Sequence, residues 1–250
     1  MTLSAPLLVF AGIVWLALLV ESVAGFGATV ITVALASQIY PLPQVLAAFV
    51  PVNFVLSLYI VARHRERVDV RVLVRRLLPA TAMGVAVGIF LVSSEGTDWL
   101  RLAFAIFVLA LSIGSLWMMR QGQPTAREPL SPWQSSAVLF IAGIVHGLFA
   151  CGGPLLVYVA ERLMPDKSMF RATVSAVWLV FHVVLLASYR AAGTLTFDSL
   201  KVSGVLMLAL LLSIPVGEWI HTRLSAQKFR VGVYVLLAVA GAAQLIRALA

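Results

Sequence analysis

The chain has 250 residues, of which 62% are hydrophobic and 11% charged, with a mean hydropathy of +1.03 and a formal net charge of +8. A soluble domain carries about 25% charged residues, so the composition excludes a water-soluble globular protein and predicts an all-α polytopic membrane protein held in a lipid bilayer. The positive charge does not point to nucleic acid, because basic cytoplasmic loops follow from the positive-inside rule; one cysteine, Cys151, excludes an intrachain disulfide, and no His/Cys cluster points to a metal.

The length accommodates roughly seven or eight helices of about 20 residues each. That leaves no segment for a soluble domain, so 1–250 reads as a single membrane domain. Met1 to Pro6 has no basic n-region and no small-residue cleavage site follows, so no removable signal peptide is expected.

In chain order, Leu7 to Ser37 is an apolar segment interrupted by Gly25 and Gly27. Tyr40 to Pro43 is a proline-rich connection. Gln44 to Ala62 reads as a helix carrying Pro51 and Asn53. Arg63 to Arg76 is the most basic loop. Leu77 to Ser93 is a helix whose Gly84 and Gly88 permit close packing. Ser94 to Asp98 is a short turn, and Trp99 to Met119 a helix opened by an interfacial tryptophan. The segment 120–132, with three prolines, is a hinge between halves. Ser135 to Glu161 is a second interrupted segment, broken at Gly152, Gly153 and Pro154. After a loop at 162–171 come helices over Ala172 to Tyr189, Leu200 to Ile220 and Val231 to Leu249, the last preceded by a basic loop at 221–230.

The halves align with one another. Gly27 matches Gly153 at an offset of 126 (153 − 27), while Gly88 with Gly217 and Arg101 with Arg230 share an offset of 129. A nearly constant offset with a shared element order reads as an internal repeat, 1–119 and 133–250. The basic loops 63–76, 120–128, 162–171 and 221–230 should all be cytoplasmic. Only one apolar segment lies between 120–128 and 162–171, and it is short for two full crossings. It is therefore expected to be a re-entrant pair of half-helices. By the repeat, Leu7 to Ser37 does the same from the other side. Each half becomes a broken, re-entrant helical hairpin plus three transmembrane helices, the second half inverted and both termini non-cytoplasmic. Eight full crossings is the alternative.

A helix broken in lipid exposes backbone polar groups that persist only where protein buries them or a watery cavity meets them. Matching breaks in two halves point to a transporter's binding site. Each half-helix that restarts after a break, at Ala28 and at Leu155, offers N–H groups and a partial positive charge suited to an anion. Gly25, Phe26, Gly27, Ala28 and Thr29 from the first tip, with Cys151, Gly152, Gly153 and Pro154 from the second, are the candidate substrate-binding residues. Glycines that only allow close packing are the alternative.

These residues carry a resemblance. GFGATVITVALA, the proline-rich loop, CGGPLLVYVA, Lys167 and FRATVSAVW over Phe170 to Trp178 resemble the sulfite exporter TauE/SafE family of membrane proteins, as does the ending around Ile214 to Trp219, Leu224-Ser225 and Phe229-Arg230. The resemblance implies a secondary transporter of a small sulfur-containing or organic anion, such as sulfite, a sulfonate or sulfoacetate, in the cell's inner or plasma membrane. It also raises a role for Arg171 in attracting or gating the anion, beside that of a topology charge. Glu21 and His146 are not residues that the family pattern leads one to expect.

Glu21, His146, His182 and Glu218 are ionisable residues at membrane depth, and such residues are functional candidates. Glu21 and His146 each stand about one turn before a tip, so a Glu–His proton-coupling pair and a structural hydrogen bond are both open. Glu218 reads as interfacial, His182 as packed with a backbone partner, and Cys151 as a small packing residue. No HExxH, GxSxG or Walker A sequence occurs, so an enzyme and an ATP-driven pump are not expected. A passive anion channel or a membrane-embedded enzyme remains the alternative class. No cofactor is expected, and a homo-oligomer is left open.

Overall fold

The computed structural model describes residues 5–94, 98–120, 130–164 and 166–223, with scattered positions between 235 and 246. Most of the hinge, the basic loop at 221–230 and the helix expected over Val231 to Leu249 lie outside the described residues, as does Arg230. Every described element is helical. The first hairpin is α1 (Ala5–Ala24) and α2 (Ala28–Ala36), followed by α3 (Leu42–Arg63). A 3₁₀ turn at Arg65–Arg67 leads into α4 (Val70–Val72), a π turn (Leu73–Leu77) and α5 (Leu78–Ser94), which form one continuous rod. Then come α6 (Asp98–Arg120), α7 (Pro132–Phe149), α8 (Gly153–Leu163), α9 (Lys167–Ala191) and α10 (Phe197–Arg223). Among the described residues six helices are long and apolar enough to span a membrane: Ala5–Ala24, Leu42–Arg63, Val70–Leu91, Pro132–Phe149, Lys167–Ala191 and Phe197–Ile220. The chain is a multi-pass integral membrane protein.

Two expectations need correction. The interrupted segments are not pairs of half-helices. Their first arms have 20 and 18 residues, about 30 and 27 Å at 1.5 Å per residue, which suffices to cross alone. Only the second arms, of 9 and 11 residues, are half-length. The basic loop is also shorter than expected, because Arg71, Arg75 and Arg76 are already helical. Asp69 makes this early start: its side chain accepts from the Val72 N–H at 2.9 Å and caps the helix. The π turn just precedes Pro79, whose ring cannot donate to the carbonyl one turn back and crowds it.

The packing partners cross between halves. The first arm α1 packs on α10 of the second half, while α7 packs on α5 of the first, and α3 crosses α9 between them. Glycine sets the closest approach. A Cβ on Gly84 would lie 2.9 Å from the Cα of Gly143, and one on Gly88 would lie 2.9 Å from the Cα of Gly147. Lipid tails are as apolar as leucine, so helices in a bilayer gain from backbone proximity rather than from burial. On the other seam, Gly217 of α10 is pressed against the side chain of Ser22. Pro51 interrupts the bonding of α3, and the Ser203 hydroxyl of α10 donates to the nearby Ala48 carbonyl at 2.8 Å.

Gly88→Val or Gly147→Val should wedge α5 from α7 and cost about 1–3 kcal/mol or more, read as a lower Tm in detergent. Gly12→Ala and Gly204→Ala, where an added methyl meets nothing within 4 Å, should leave the Tm unchanged.

Candidate functional site

The first tip is built by glycine. Gly25 and Gly27 hold φ angles of 82° and 107°, in the left-handed region that a side chain strains. The Gly25 N–H closes α1 on the Glu21 carbonyl at 2.7 Å, and the Ile31 N–H opens α2 on the Gly27 carbonyl at 3.1 Å. At the second tip Ala150 takes the left-handed conformation, φ 56°, donating to the His146 carbonyl at 2.7 Å. A non-glycine residue there is held against its preference. Gly152 is locked in place, since a Cβ would meet that of His146 at 2.8 Å. Pro154 occupies the first turn of α8, where an N–H would lack a helical partner.

The two tips meet. A Cβ on Gly153 would lie 3.7 Å from both the Cβ of Phe26 and the Trp178 ring. Trp178, on α9, joins the tips: its indole N–H donates to the Gly25 carbonyl at 3.1 Å, and its ring stacks on His146 with centroids 5.3 Å apart and planes 14° apart. Between the tips lies a cavity bounded by Glu21, Gly27 and Thr29 on one side, Cys151, Gly153 and His146 on the other, and Asn53, Trp178 and His182 from the crossing helices. Its free volume is room for roughly one water molecule.

The cavity is polar but not symmetrical. Glu21 is buried, and one carboxylate oxygen accepts from the Ala28 N–H at 3.0 Å and from the Asn53 amide at 3.4 Å. The α2 N-terminus expected to be open to an anion therefore already holds a carboxylate. The Asn53 amide also lies 3.4 Å from Thr29 Oγ1 and 3.5 Å from His182 Nε2, and His182 Nδ1 lies 3.5 Å from Ser57 Oγ. His146 is 1% exposed, and neither ring nitrogen has a hydrogen-bond partner. Buried polar groups are almost always satisfied, so an imidazole with both nitrogens unpaired beside a cavity makes His146 a candidate for binding a polar guest.

The expected residues sort as follows. Glu21, Gly27, Thr29, His146, Cys151 and Gly153 line one cavity. Gly25, Phe26, Gly152 and Pro154 belong to the tips but do not line it, Phe26 packing against Gly153, and Ala28 presents its N–H to Glu21. Glu21 and His146 are not bonded to each other. They are linked through Asn53 and His182, whose ring centroid lies 6.2 Å from that of His146. Arg171 lies outside the cavity, where its backbone and side chain press on Gly25: a Cβ there would meet Arg171 Cα and Cγ at 3.2 Å. Glu218 is paired rather than simply interfacial, accepting from the buried Arg171 guanidinium at 2.7 Å, with His64 3.8 Å away. Asn53 and Trp178 are not among the site residues expected from sequence, and His182, a candidate by its ionisable side chain, reads there as a packing residue. A signal existed for two of them: Asn53 and His182 are 129 apart, the offset already seen for Gly88 and Gly217. His182 takes side-chain neighbours rather than the backbone partner expected.

The sulfite exporter TauE/SafE family matches residues 9–243. Over 121 residues the chain is 29% identical to the probable inner membrane transporter protein TsaS of Comamonas testosteroni, a match covering 47% of this chain and 47% of that protein. The match thus spans about half the length of this curated relative. No solved structure matches.

Glu218→Ala would leave the Arg171 guanidinium, 4% exposed, without its counter-charge. A loss on the order of 3 kcal/mol is expected. The double change Arg171→Ala with Glu218→Ala should be less destabilising than the sum of the single changes, because it removes the stranded charge. Chemical-denaturant titration of the four proteins in detergent measures both effects; additive losses would mean that the pair is not coupled.

Proposed function

Because the chain belongs to the sulfite exporter TauE/SafE family, we propose that it is a secondary transporter moving a small anion of the sulfite, sulfonate or sulfoacetate class across the cytoplasmic membrane. The carrying observation is the cavity between two helix breaks, edged by the buried, unpartnered imidazole of His146. An oxyanion there would meet an N–H donor from His146, the hydroxyl of Thr29 and the N-terminal ends of α2 and α8. Gly27 lines one wall and Cys151 and Gly153 the other, while Gly25, Phe26, Gly152 and Pro154, which do not line the cavity, shape the tips that hold them. Arg171 serves by bracing the first tip from behind.

The cavity has room for roughly one water, whereas sulfite has four heavy atoms. Loading therefore requires the tips to part, which is the behaviour of a carrier. A passive channel would need a continuous wet path. The exchanged packing, α1 on α10 and α7 on α5 with α3 on α9 between them, supports two inverted repeats, 1–119 and 133–250, joined by the hinge 120–132. Asn53 and His182 facing each other at 3.5 Å fits the same two-fold relation. Glu21 and His146, one on each hairpin and joined through Asn53 and His182, are the proton-coupling residues of this reading.

Uptake of sulfite, methanesulfonate and sulfoacetate into proteoliposomes tests the transport reading, and no uptake of any of them defeats it. Gly27→Val forces a branched side chain into a left-handed conformation, and Gly153→Val fills the space against Phe26 and Trp178. Each should abolish uptake in a protein that still inserts.

The proposed topology places both termini outside the cytoplasm. Cysteines placed at Ser94 and Thr194 should then react with an impermeant maleimide from outside the cell, and one at Thr125 only after permeabilisation. The reverse pattern would overturn the orientation.

A further inference from the structure

The carboxylate of Glu21 occupies a place that the transport reading gives to the substrate. Its oxygen accepts the Ala28 N–H at the start of α2, the electropositive end of that helix. It is buried, and the same oxygen takes the Asn53 amide. Helix ends in proteins are usually capped by a residue immediately before the helix. Here the cap comes from seven residues back, across the break, on the wall of the cavity itself. The opposite wall presents His146 with both nitrogens unpaired. One wall thus holds an acidic group of the protein's own, and the other holds a polar group with no partner among the described residues.

We propose that Glu21 is a tethered stand-in for the substrate: ionised, it holds the α2 N-terminus of the unloaded carrier, and an anion replaces it there only when Glu21 takes up a proton. The inference rests on the anion-transport reading and fixes its coupling as a proton entering with each anion. Two anions cannot share one helix end in a cavity this small, because like charges in a poorly solvated site exclude each other. Protonated Glu21 has an O–H to donate, to the bound anion or to the Asn53 carbonyl oxygen, which is buried without a partner. The proton bonds to a Glu21 carboxylate oxygen on loading and leaves it on release, so a monovalent anion crosses with no net charge.

Among the described residues no fixed cation faces Glu21 to relieve this exclusion. From α2 the polar side chains are Thr29 and Thr32, and from α3 the facing group is the uncharged Asn53. His182 of α9 is reached through Asn53, and His146 of α7 and Cys151 of the second tip face Glu21 across the cavity. Arg171, behind Gly25, is matched by Glu218 of α10.

Methanesulfonate tests the idea, because its sulfonate keeps its single charge across the working pH range and any proton counted belongs to the protein. In proteoliposomes carrying the wild type, methanesulfonate uptake should follow an imposed pH gradient and ignore a potassium diffusion potential. Its apparent KM should rise about tenfold per pH unit above the titration of the site, the slope of a single linked proton. Glu21→Gln retains an acceptor oxygen for Ala28 but carries no charge. Its methanesulfonate KM should be flat with pH, and its uptake should respond to an inside-positive potential. A wild type driven by potential with no proton entry overturns the inference, as does a Glu21→Gln protein still driven by the pH gradient. Should Glu21→Gln fail to fold, the wild type in weakly buffered detergent decides: methanesulfonate binding should draw protons from solution in equal number, and no proton uptake defeats the idea. Absence of sulfite, methanesulfonate and sulfoacetate uptake altogether would fell the transport reading rather than the coupling alone.

Discussion

Two helices stop inside this bundle, and the cost of stopping there governs the rest of the structure. A helix end releases N–H and C=O groups that water would satisfy at a protein surface. In a bilayer that water is missing, and each orphan costs several kcal/mol. The chain meets the demand with specific partners. Glu21 takes the Ala28 N–H, the Trp178 indole takes up the Gly25 carbonyl, and Pro154 removes a donor from the α8 start altogether. These side chains come from α1, α8 and α9, so the breaks are stable only if those helices stand close together.

That closeness is what the glycines provide. With Gly84 on Gly143 and Gly88 on Gly147, α5 and α7 approach to backbone contact, and Gly217 on Ser22 does likewise for α10 and α1. Each first arm is thereby clamped to a helix of the other half, and each tip is carried toward the centre. Phe26 then reaches Gly153, and Trp178 touches both tips. The site is a consequence of two seams some distance from it. A bulky residue on a seam would act on the site without touching it.

Much of this was legible in residues whose effect is local. Gly25, Gly27, Gly152 and Pro154 locate the breaks because they act on their own backbone, and Gly84 with Gly88 announces a packed face by spacing alone. Arm lengths were harder. Ser131 and Gln134 cap α7 reciprocally and Asp166 caps α9, so these helices begin earlier than hydropathy suggests, and the first arm of the second hairpin becomes full-length. What could not be read was which polar groups pair across the bundle. Arg171 and Glu218 are 47 positions apart and Asn53 and His182 are 129 apart; only the fold sets their geometry. The Glu21–His146 neighbourhood was legible as a shared place and not as a bond, because Asn53 and His182 stand between them on α3 and α9.

The scaffold treats the two tips alike, and the chemistry does not. Both follow a long arm, both turn through left-handed backbone, and both start a short helix. Yet the first tip has its helix end closed by the Glu21 carboxyl group, while the second is bordered by an imidazole that no described residue satisfies. If both ends were closed by acids, an anion would find no donor; if both were open, nothing would hold the broken backbone between loads. On the proposed transport reading, one closed end and one unsatisfied group would give the cavity a direction of exchange. The guest would meet His146 before Glu21 gives way, so the break beside α2 would never face lipid without a partner. The same backbone constraint that makes the breaks costly would then be met in the unloaded state by the protein's own acid, and in the loaded one by the proposed anion.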